Sequence, residues 1–561
     1  MVSIVENIRK KIVEEIKQAV YQAKTNGKIH YNNLPDFVLE VPRENIHGDF
    51  ASNIAMLLAK EAKMAPRSIA EILVRYFSIE GNPVEKIDIA GPGFINFYLN
   101  HKWLYDVIPL VLKEDKDYGK SQVGQGEKIQ VEFVSANPTG VLHMGNARGA
   151  ALGDSLAGVL EAAGFDVTRE FYINDAGNQI EKFAQSLEAR YFQLLGEDIP
   201  FPEDGYHGRD LIDTVKSLIA KEGDKYKTLD EESRRKILVE YALQEKLSAI
   251  RASLEKFGVH YDVWFSEKSL YQSGEVKNII TELKEKGYIY EKEGALWLKT
   301  TQFGDEKDEV LVRSNGVPTY FAADIAYHKN KFERGFQRVI NIWGADHHGH
   351  VARMKGAVKV LDYDPERLTI ILMQLVRLFQ GGEILRMSKR TGTYITLDEL
   401  MEDVGRDAAR YFFVMRSPDS HLDFDLDLAK SQSADNPVFY VQYAHARICS
   451  ILRQASESGY LIPDITQVNF ELLTDPSEIV LIRRIADLPD EIASAALNLA
   501  PHRLTVFAHD LASLFHSFYT NCRVLTDEPE LRNSRLLLVK AVGICIRNVL
   551  HLIGVSAPEH M

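Results

Sequence analysis

The sequence has 561 residues, with 66 basic and 80 acidic side chains and a formal charge of −14. That length excludes a single small module, and the acidic balance argues against a polybasic coat for nucleic acid or anionic membrane, though a local basic face can sit within it. Three widely spaced cysteines, Cys449, Cys522 and Cys545, exclude a disulfide scaffold and a cysteine-based zinc knuckle, and they suit a reducing cytoplasm.

The first twenty residues mix charge through every turn, and no run of about 18 uncharged apolar residues follows, so neither signal peptide nor membrane span is expected. Ile4, Val5, Ile8, Ile12, Ile16 and Val20 recur at helical spacing. A second helix is expected near Ala51–Leu73. IDIAGPGFINFYL reads as two strands about Gly91-Pro92-Gly93. Residues 1–110 thus read as a small α/β domain and 111–127 as a polar linker. KIQVEFV (128–134) reads as a strand, SANPTG as a break, HMGNARGAALGDSLAGVLEAAGF as a small-residue helix and DVTREFYIN as the next strand. That order opens a doubly wound parallel sheet. Residues from about 178 to 300 turn helical and charged, an insertion within a sheet domain of 128–430. Strand character returns at 338–344 and 368–379. Apolar stripes through 431–561 predict an all-α bundle.

Two segments carry chemistry. In open α/β sheets, ligands sit beyond the carboxyl ends of strands. There the sequence places a turn shaped by Pro138 and Gly140, then His143 and Asn146 at a helix start, with Gly145 and Gly149 allowing close approach. Exposed N–H groups at such a terminus suit a phosphate. The pattern is neither GxGxxG nor GxxxxGK[ST], which disfavours a dinucleotide site and a P-loop. Far downstream, Gly381, Gly382 and Gly392 bracket Arg386-Met387-Ser388-Lys389-Arg390, a glycine-hinged cationic loop able to close on a polyphosphate.

HMGN and RMSKR resemble the two signature motifs of class I aminoacyl-tRNA synthetases, usually written HIGH and KMSKS. VEFVSANPTGVLHMGNARGAALGD closely resembles the arginyl-tRNA synthetases of bacterial type. GDFASNIAMLLAK and IDIAGPGFINFYL resemble that family's N-terminal tRNA-contacting domain. NPVFYVQYAHARICSIL and the segment from APHRLTVF to GVSAPEHM resemble its helical anticodon-binding domain. The resemblance implies a Rossmann-type catalytic sheet with a helical insertion, a small N-terminal α/β domain and a C-terminal helical bundle. Asn146 departs from the usual His, and Arg386 stands where Lys is common. Lys389 keeps the position assigned to pyrophosphate.

The resemblance also assigns residues. His143, Asn146 and Lys389 would stabilise the reacting phosphates, with Pro138, Gly140, Gly145, Met387 and Ser388 also against the nucleotide. Gly344, Asp346 and His347 would lie near the ribose and adenine, with His347 toward the α-amino end. Glu132, Ser135, Asn137 and His143 would meet the amino acid's α-amino and carboxylate groups. Asp324 and Glu267 would hold the guanidinium, with the Tyr320 hydroxyl beside them. Tyr320 and Asp324 stand at i, i+4, on one face of a helix. Asp346, His347, His348 and His350 look like metal ligands, but with no second cluster nearby no dedicated metal site is expected. Tyr440, Tyr443, His445 and Arg447 are candidate tRNA contacts, offering aromatics for stacking and a cation for phosphate.

The implied activity is attachment of L-arginine to tRNA(Arg) through an arginyl-adenylate, using ATP with Mg²⁺ as its substrate complex, by a cytoplasmic monomer. A cysteinyl enzyme would need thiol-binding cysteines, which are absent. A non-catalytic tRNA-binding relative usually loses motif residues that stand here. A small-molecule nucleotidyltransferase would not need so long a helical C-terminal part.

Overall fold

The strand expected at 128–134 forms over Lys128–Glu132 (β1) in the computed structural model, which describes residues 4–42, 47–385 and 395–561. Its alternation does not mark a wet face. Gln130 and Glu132 are as buried as Ile129 and Val131, because the sheet is covered on both sides. The chain continues through helix Met144–Ala162 (α1) and strands Asp166–Ile173 (β2) and Val263–Ser266 (β3). Helix Tyr320–Glu333 (α2) leads to strand Arg338–Gly344 (β4), helix His348–Val360 (α3) and strand Leu368–Met373 (β5). The five strands are parallel in the order β5-β4-β1-β2-β3. Strand order therefore reverses between β1 and β4, and the crevice beyond their carboxyl ends is the place for a ligand. Gly153 lets α1 lie against this sheet, since a Cβ there would stand 2.1 Å from the Phe133 ring.

Several sequence expectations are corrected here. Helical character in the insertion spans Asn178–Leu194, Arg209–Glu222 and Glu231–Lys256, with its own core of Phe183, Leu187, Tyr191 and Leu211. Helices Glu267–Gln272 and Glu275–Glu285 carry the helical character on toward residue 300, but strands interrupt it. Val263–Ser266 returns to the main sheet as an edge strand, and Ile289–Lys292, Ala295–Leu298 and Glu309–Val312 form a separate antiparallel sheet. Four-residue strands are too short to display a period, so charge density hid them. The strand expected at 368–379 is two: Val376–Gln380 leaves β5 to pair with Leu422–Asp425. No residue signals that break. It is imposed by fully buried Arg148 of α1, which donates to the carbonyls of Gln374 (2.7 Å), Ser417 (3.0 Å) and Ser420 (3.1 Å).

The N-terminal part packs helix Ile4–Thr25 on an antiparallel four-stranded sheet. The expected helix over 51–73 is two, Ile54–Ala62 and Pro66–Tyr76. Lys63 between them is left-handed (φ 52°) and Pro66 starts the second, where its missing N–H costs nothing. Residues 111–127 are no loose tether. Tyr118 is buried with its hydroxyl donating to the Ile485 carbonyl (2.8 Å), and the Asn548 amide donates to the carbonyls of Asp115 (2.8 Å) and Tyr118 (3.1 Å).

The C-terminal helices include Pro437–Glu457, Pro476–Ala486, Leu488–Leu497, His502–Asn521 and Pro529–Leu552. Arg410 locks them to the catalytic sheet. Fully buried, it donates to the carbonyls of Ile553 (3.0 Å), Phe257 (3.1 Å) and Gly258 (3.3 Å) and to Asp154 Oδ2 on α1 (2.5 Å). Gly554 has φ +68°, and a Cβ there would lie 2.2 Å from this guanidinium, which has nowhere to go without losing its acceptors. Gly554→Ala should therefore lower stability by about 2 kcal/mol or more, from left-handed backbone strain plus overpacking. A shift of the urea midpoint at unchanged slope is the expected result; an unchanged midpoint contradicts this packing.

Candidate active site

The head of β1 is strained. Val134 (φ 68°) and Ser135 (φ 40°) both hold left-handed backbone, which a β-branched valine avoids and which persists only where its surroundings over-determine it. The determinants are visible. Ser135 N–H donates to the Phe133 carbonyl (3.0 Å). Its hydroxyl donates to Glu132 Oε1 (2.9 Å) and accepts from Tyr172 N–H (3.1 Å). Glu132 Oε2 receives Lys331 Nζ (2.5 Å), a lysine with 0% exposure. Lys331 also donates to Asn341 Oδ1 (2.9 Å), and Asn341 Nδ2 donates to His328 Nε2 (2.8 Å). His328 Nδ1 lies 2.8 Å from the Asp324 carbonyl. A carbonyl only accepts, so Nδ1 carries the proton and Nε2 is the acceptor. Burial, reinforced by Lys331, holds His328 well below the ordinary imidazole range, so it is neutral. The bonds form one continuous chain from Asp324 on α2 to Ser135, with Lys331 donating both ways and Glu132 accepting from both sides.

Beyond β1 the chain enters α1, with His143 as N-cap. His143 Nδ1 accepts from Gly145 N–H (3.1 Å), and Asn146 Oδ1 accepts from His143 N–H (3.1 Å), a reciprocal capping box. Asn146 thus has a structural task that uses its oxygen and leaves its amide Nδ2 to donate. Desolvation by the surrounding protein lowers the His143 pKa although the residue stays open to the cleft, so the neutral ring carries its proton on Nε2. A cleft of about 1040 Å³ opens here, at the switch point. Ser135, Asn137, Gly140, His143, Gly145 and Asn146 line it from the β1 side, and Gly344, Asp346 and His347 from the β4 side. Pro138 is buried and off this wall, so its expected contact with nucleotide is corrected to shaping the turn. Leu385 and Ile395 also line the cleft. Met387, Ser388 and Lys389 lie outside the described residues.

Tyr172 and Gln179 also line the cleft. Beside Tyr172, off the cleft wall, stand two acids, Glu267 and Asp324. Glu267 is 1% exposed, and its Oε1 has no hydrogen-bond partner. Burial, then the nearby Asp324 charge, push its carboxyl up to about 8, with a Tyr172 hydrogen bond pulling the other way. Asp324 accepts from His350 Nε2 at Oδ2 (3.0 Å). The Tyr320 hydroxyl accepts from Gln179 N–H (3.2 Å). An acid whose proton affinity is raised by burial and by a neighbouring carboxylate, and whose buried oxygen lacks a donor, fits a permanently charged, donor-rich cation. Glu132 accepts from Lys331 at one oxygen and from Ser135 at the other, so it also supports Ser135. Among the described residues no three potential ligands gather for a metal. His347 faces Asp346 (3.5 Å) while His350 faces Asp324.

Sequence reasoning missed Tyr172, Gln179, His328, Lys331 and Asn341. A signal existed for part of this set. Tyr320, Asp324, His328 and Lys331 make a polar stripe at helical spacing along the inner side of α2.

Comparison with known proteins agrees. Residues 107–420 match the tRNA synthetases class I (R), catalytic domain; residues 6–99 match the arginyl tRNA synthetase N terminal domain; and residues 441–561 match the DALR anticodon binding domain. An arginine–tRNA ligase from Moorella thermoacetica is 65% identical over the full length of both chains, and one from Heliobacterium modesticaldum is 64% identical, also over the whole of both. The chain belongs to the arginyl-tRNA synthetase family. Its activity is the aminoacylation of tRNA(Arg) with arginine. A solved structure described as a putative arginyl-tRNA synthetase from Campylobacter jejuni is 35% identical, with TM-score 0.76, over 82% of this chain and 100% of that one. The Thermus thermophilus arginyl-tRNA synthetase, at 24% identity and TM-score 0.72 over 99% of this chain and 100% of that one, shares the fold.

Within the helical domain the four candidate tRNA contacts separate. Tyr443 is 37% exposed, and Arg447 donates to its hydroxyl (2.6 Å) while its guanidinium lies 4.6 Å from the Tyr443 ring centre and 5.1 Å from that of Tyr519. These three, with Glu559, His560 and Met561, line a cavity of about 340 Å³. Tyr440 instead packs on His509 (5.1 Å between ring centres) and His516 (4.9 Å). His445 is 7% exposed, with Nδ1 donating to the Pro558 carbonyl (2.9 Å). The expectation for these two is corrected to packing.

Two measurements check the site. Lys331→Met leaves Glu132 as an uncompensated buried charge and should cost about 3–5 kcal/mol, much of it recovered in Lys331→Met/Glu132→Gln. Denaturant titration of the three proteins decides this, and equal stability of the single variant and the parent rules the strut out. The second uses pH. A guanidinium needs Glu267 ionised, so arginine affinity should rise on the order of tenfold per unit toward pH 8 and then level. Conversely, the neutral carboxyl's contribution to the stability of the empty protein is complete below the ordinary glutamate range and is lost as pH rises through about 8. Calorimetry from pH 6.5 to 9 reads the first effect; a flat profile, or one unchanged by Glu267→Gln, contradicts the assignment.

Proposed function

We propose that the cleft binds ATP, as its Mg²⁺ complex, beside arginine and forms arginyl-adenylate before the tRNA is charged. The observation that carries this reading is the orphan oxygen of Glu267 beside Asp324, at the end of a nucleotide-sized cleft that lies at the switch point. With the guanidinium on the two acids and the Tyr320 hydroxyl alongside, the amino acid's carboxylate reaches toward Ser135, Asn137 and the N-terminus of α1. The α-phosphate lies at that terminus, where His143 Nε2–H and Asn146 Nδ2 donate to it. Gly344, Asp346 and His347 serve the nucleoside end.

The arginine carboxylate attacks the α-phosphorus in line, and pyrophosphate leaves. The 2′-hydroxyl of the tRNA's terminal adenosine then attacks the acyl carbon and AMP leaves. No protein nucleophile takes part, so rate comes from alignment and charge stabilisation. Lys389 stabilises the leaving pyrophosphate. Residues 1–110 contact tRNA, 128–430 perform the chemistry, and 431–561 receive the anticodon, where Tyr443 and Arg447 offer stacking and a cation. The chain acts as a monomer in the cytoplasm.

Charging of bulk tRNA with each amino acid in turn tests the specificity: arginine alone should be attached. Within it, Lys389→Ala should lower kcat about a hundredfold or more with arginine KM nearly unchanged. Asp324→Asn should instead raise arginine KM on the order of tenfold or more. A Lys389→Ala enzyme as fast as the parent withdraws that role.

A further inference from the structure

We infer that His350 is a positioning residue for arginine specificity, acting through Asp324; this rests on the reading that Asp324 receives the guanidinium. His350 stands in the first turn of α3, and its ring is held between Phe321 (5.8 Å between centres, 71°) and Trp343 (5.5 Å, 34°). That packing aims Nε2 at Asp324 Oδ2, 3.0 Å away. A carboxylate oxygen only accepts, so Nε2 carries a proton and Nε2–H donates. Asp324 is one-third exposed, so without this bond its carboxylate would be free to rotate toward solvent.

With Oδ2 taken, Asp324 presents Oδ1 to the ligand, while Glu267 presents its unpartnered Oε1. Each acid thus offers one oxygen from a different direction. A guanidinium supplies N–H donors along several edges and satisfies both. A urea, as in citrulline, turns a carbonyl oxygen toward one of them and is repelled. His350 makes this discrimination rigid by denying Asp324 a second orientation.

The test uses the full-length enzyme and charging kinetics. His350→Phe keeps an aromatic ring between Phe321 and Trp343 but removes the donor. It should raise arginine KM on the order of tenfold, leave ATP KM and the kcat at saturating arginine within about twofold, and narrow the preference for arginine over citrulline. His350→Gln restores an N–H and should recover part of the loss. Introducing His350→Phe into Asp324→Asn should add nothing, because the two act as a unit. An arginine KM within twofold of the parent in a folded His350→Phe, no gain from His350→Gln, or effects that multiply in the double variant would each overturn the inference. If Asp324→Asn impairs arginine binding and His350→Phe does not, this inference alone fails. If Asp324→Asn binds arginine normally, the underlying reading of the pocket fails with it.

Discussion

Lys331 has no access to water, and its ammonium is shared between Glu132 and Asn341. Burying an ammonium is tolerable only with a close opposite charge and every donor used, and a pair of this kind contributes less to net stability than to uniqueness of arrangement. Here the arrangement is the site. Through Glu132 the lysine fixes the hydroxyl of Ser135 and with it two residues of left-handed backbone at the mouth of the cleft. Through Asn341 and a single His328 tautomer it fixes the carbonyl of Asp324. One buried strut thus holds the Ser135 turn and the Asp324 carbonyl in register, the two places where the proposed substrate's ends would lie.

The acids at the far end follow the opposite logic. Glu267 has a buried oxygen without a partner and a proton affinity raised by its surroundings, so the empty pocket is electrostatically unfavourable. Such frustration is tolerated where a ligand removes it. A cation that pairs with both carboxylates relieves their desolvation and their mutual repulsion together. A neutral side chain of the same length relieves neither, so with the guanidinium bound as proposed, selectivity comes from the cost of leaving acids unpaired rather than from size.

Much of this was legible in the sequence because it rests on local pattern. The strand before SANPTG, the small-residue helix after it and the strand at 338–344 emerged where periodicity and breakers place them. His143, Asn146, Gly344 and His347 all reach one cleft. What was hidden depends on tertiary contacts. The break after Met373 has no breaker residue and follows from the Arg148 clamp on carbonyls far along the chain. The support Glu132 gives Ser135 was hidden because its partner Lys331 is 199 positions away. The cover over His445 was hidden because the segment supplying it lies 113 positions downstream. A helical stripe shows which side of an element is polar, but not whether another part of the chain covers it.

Arg410 imposes an order of assembly. Asp154, the 257–258 turn and Arg410 itself all precede Ile553 in the chain, so during synthesis a guanidinium destined for full burial waits without one of its acceptors until the final helical segment has left the ribosome. The catalytic half therefore reaches its mature packing only once the C-terminal helices have docked, so the two halves mature together rather than in turn.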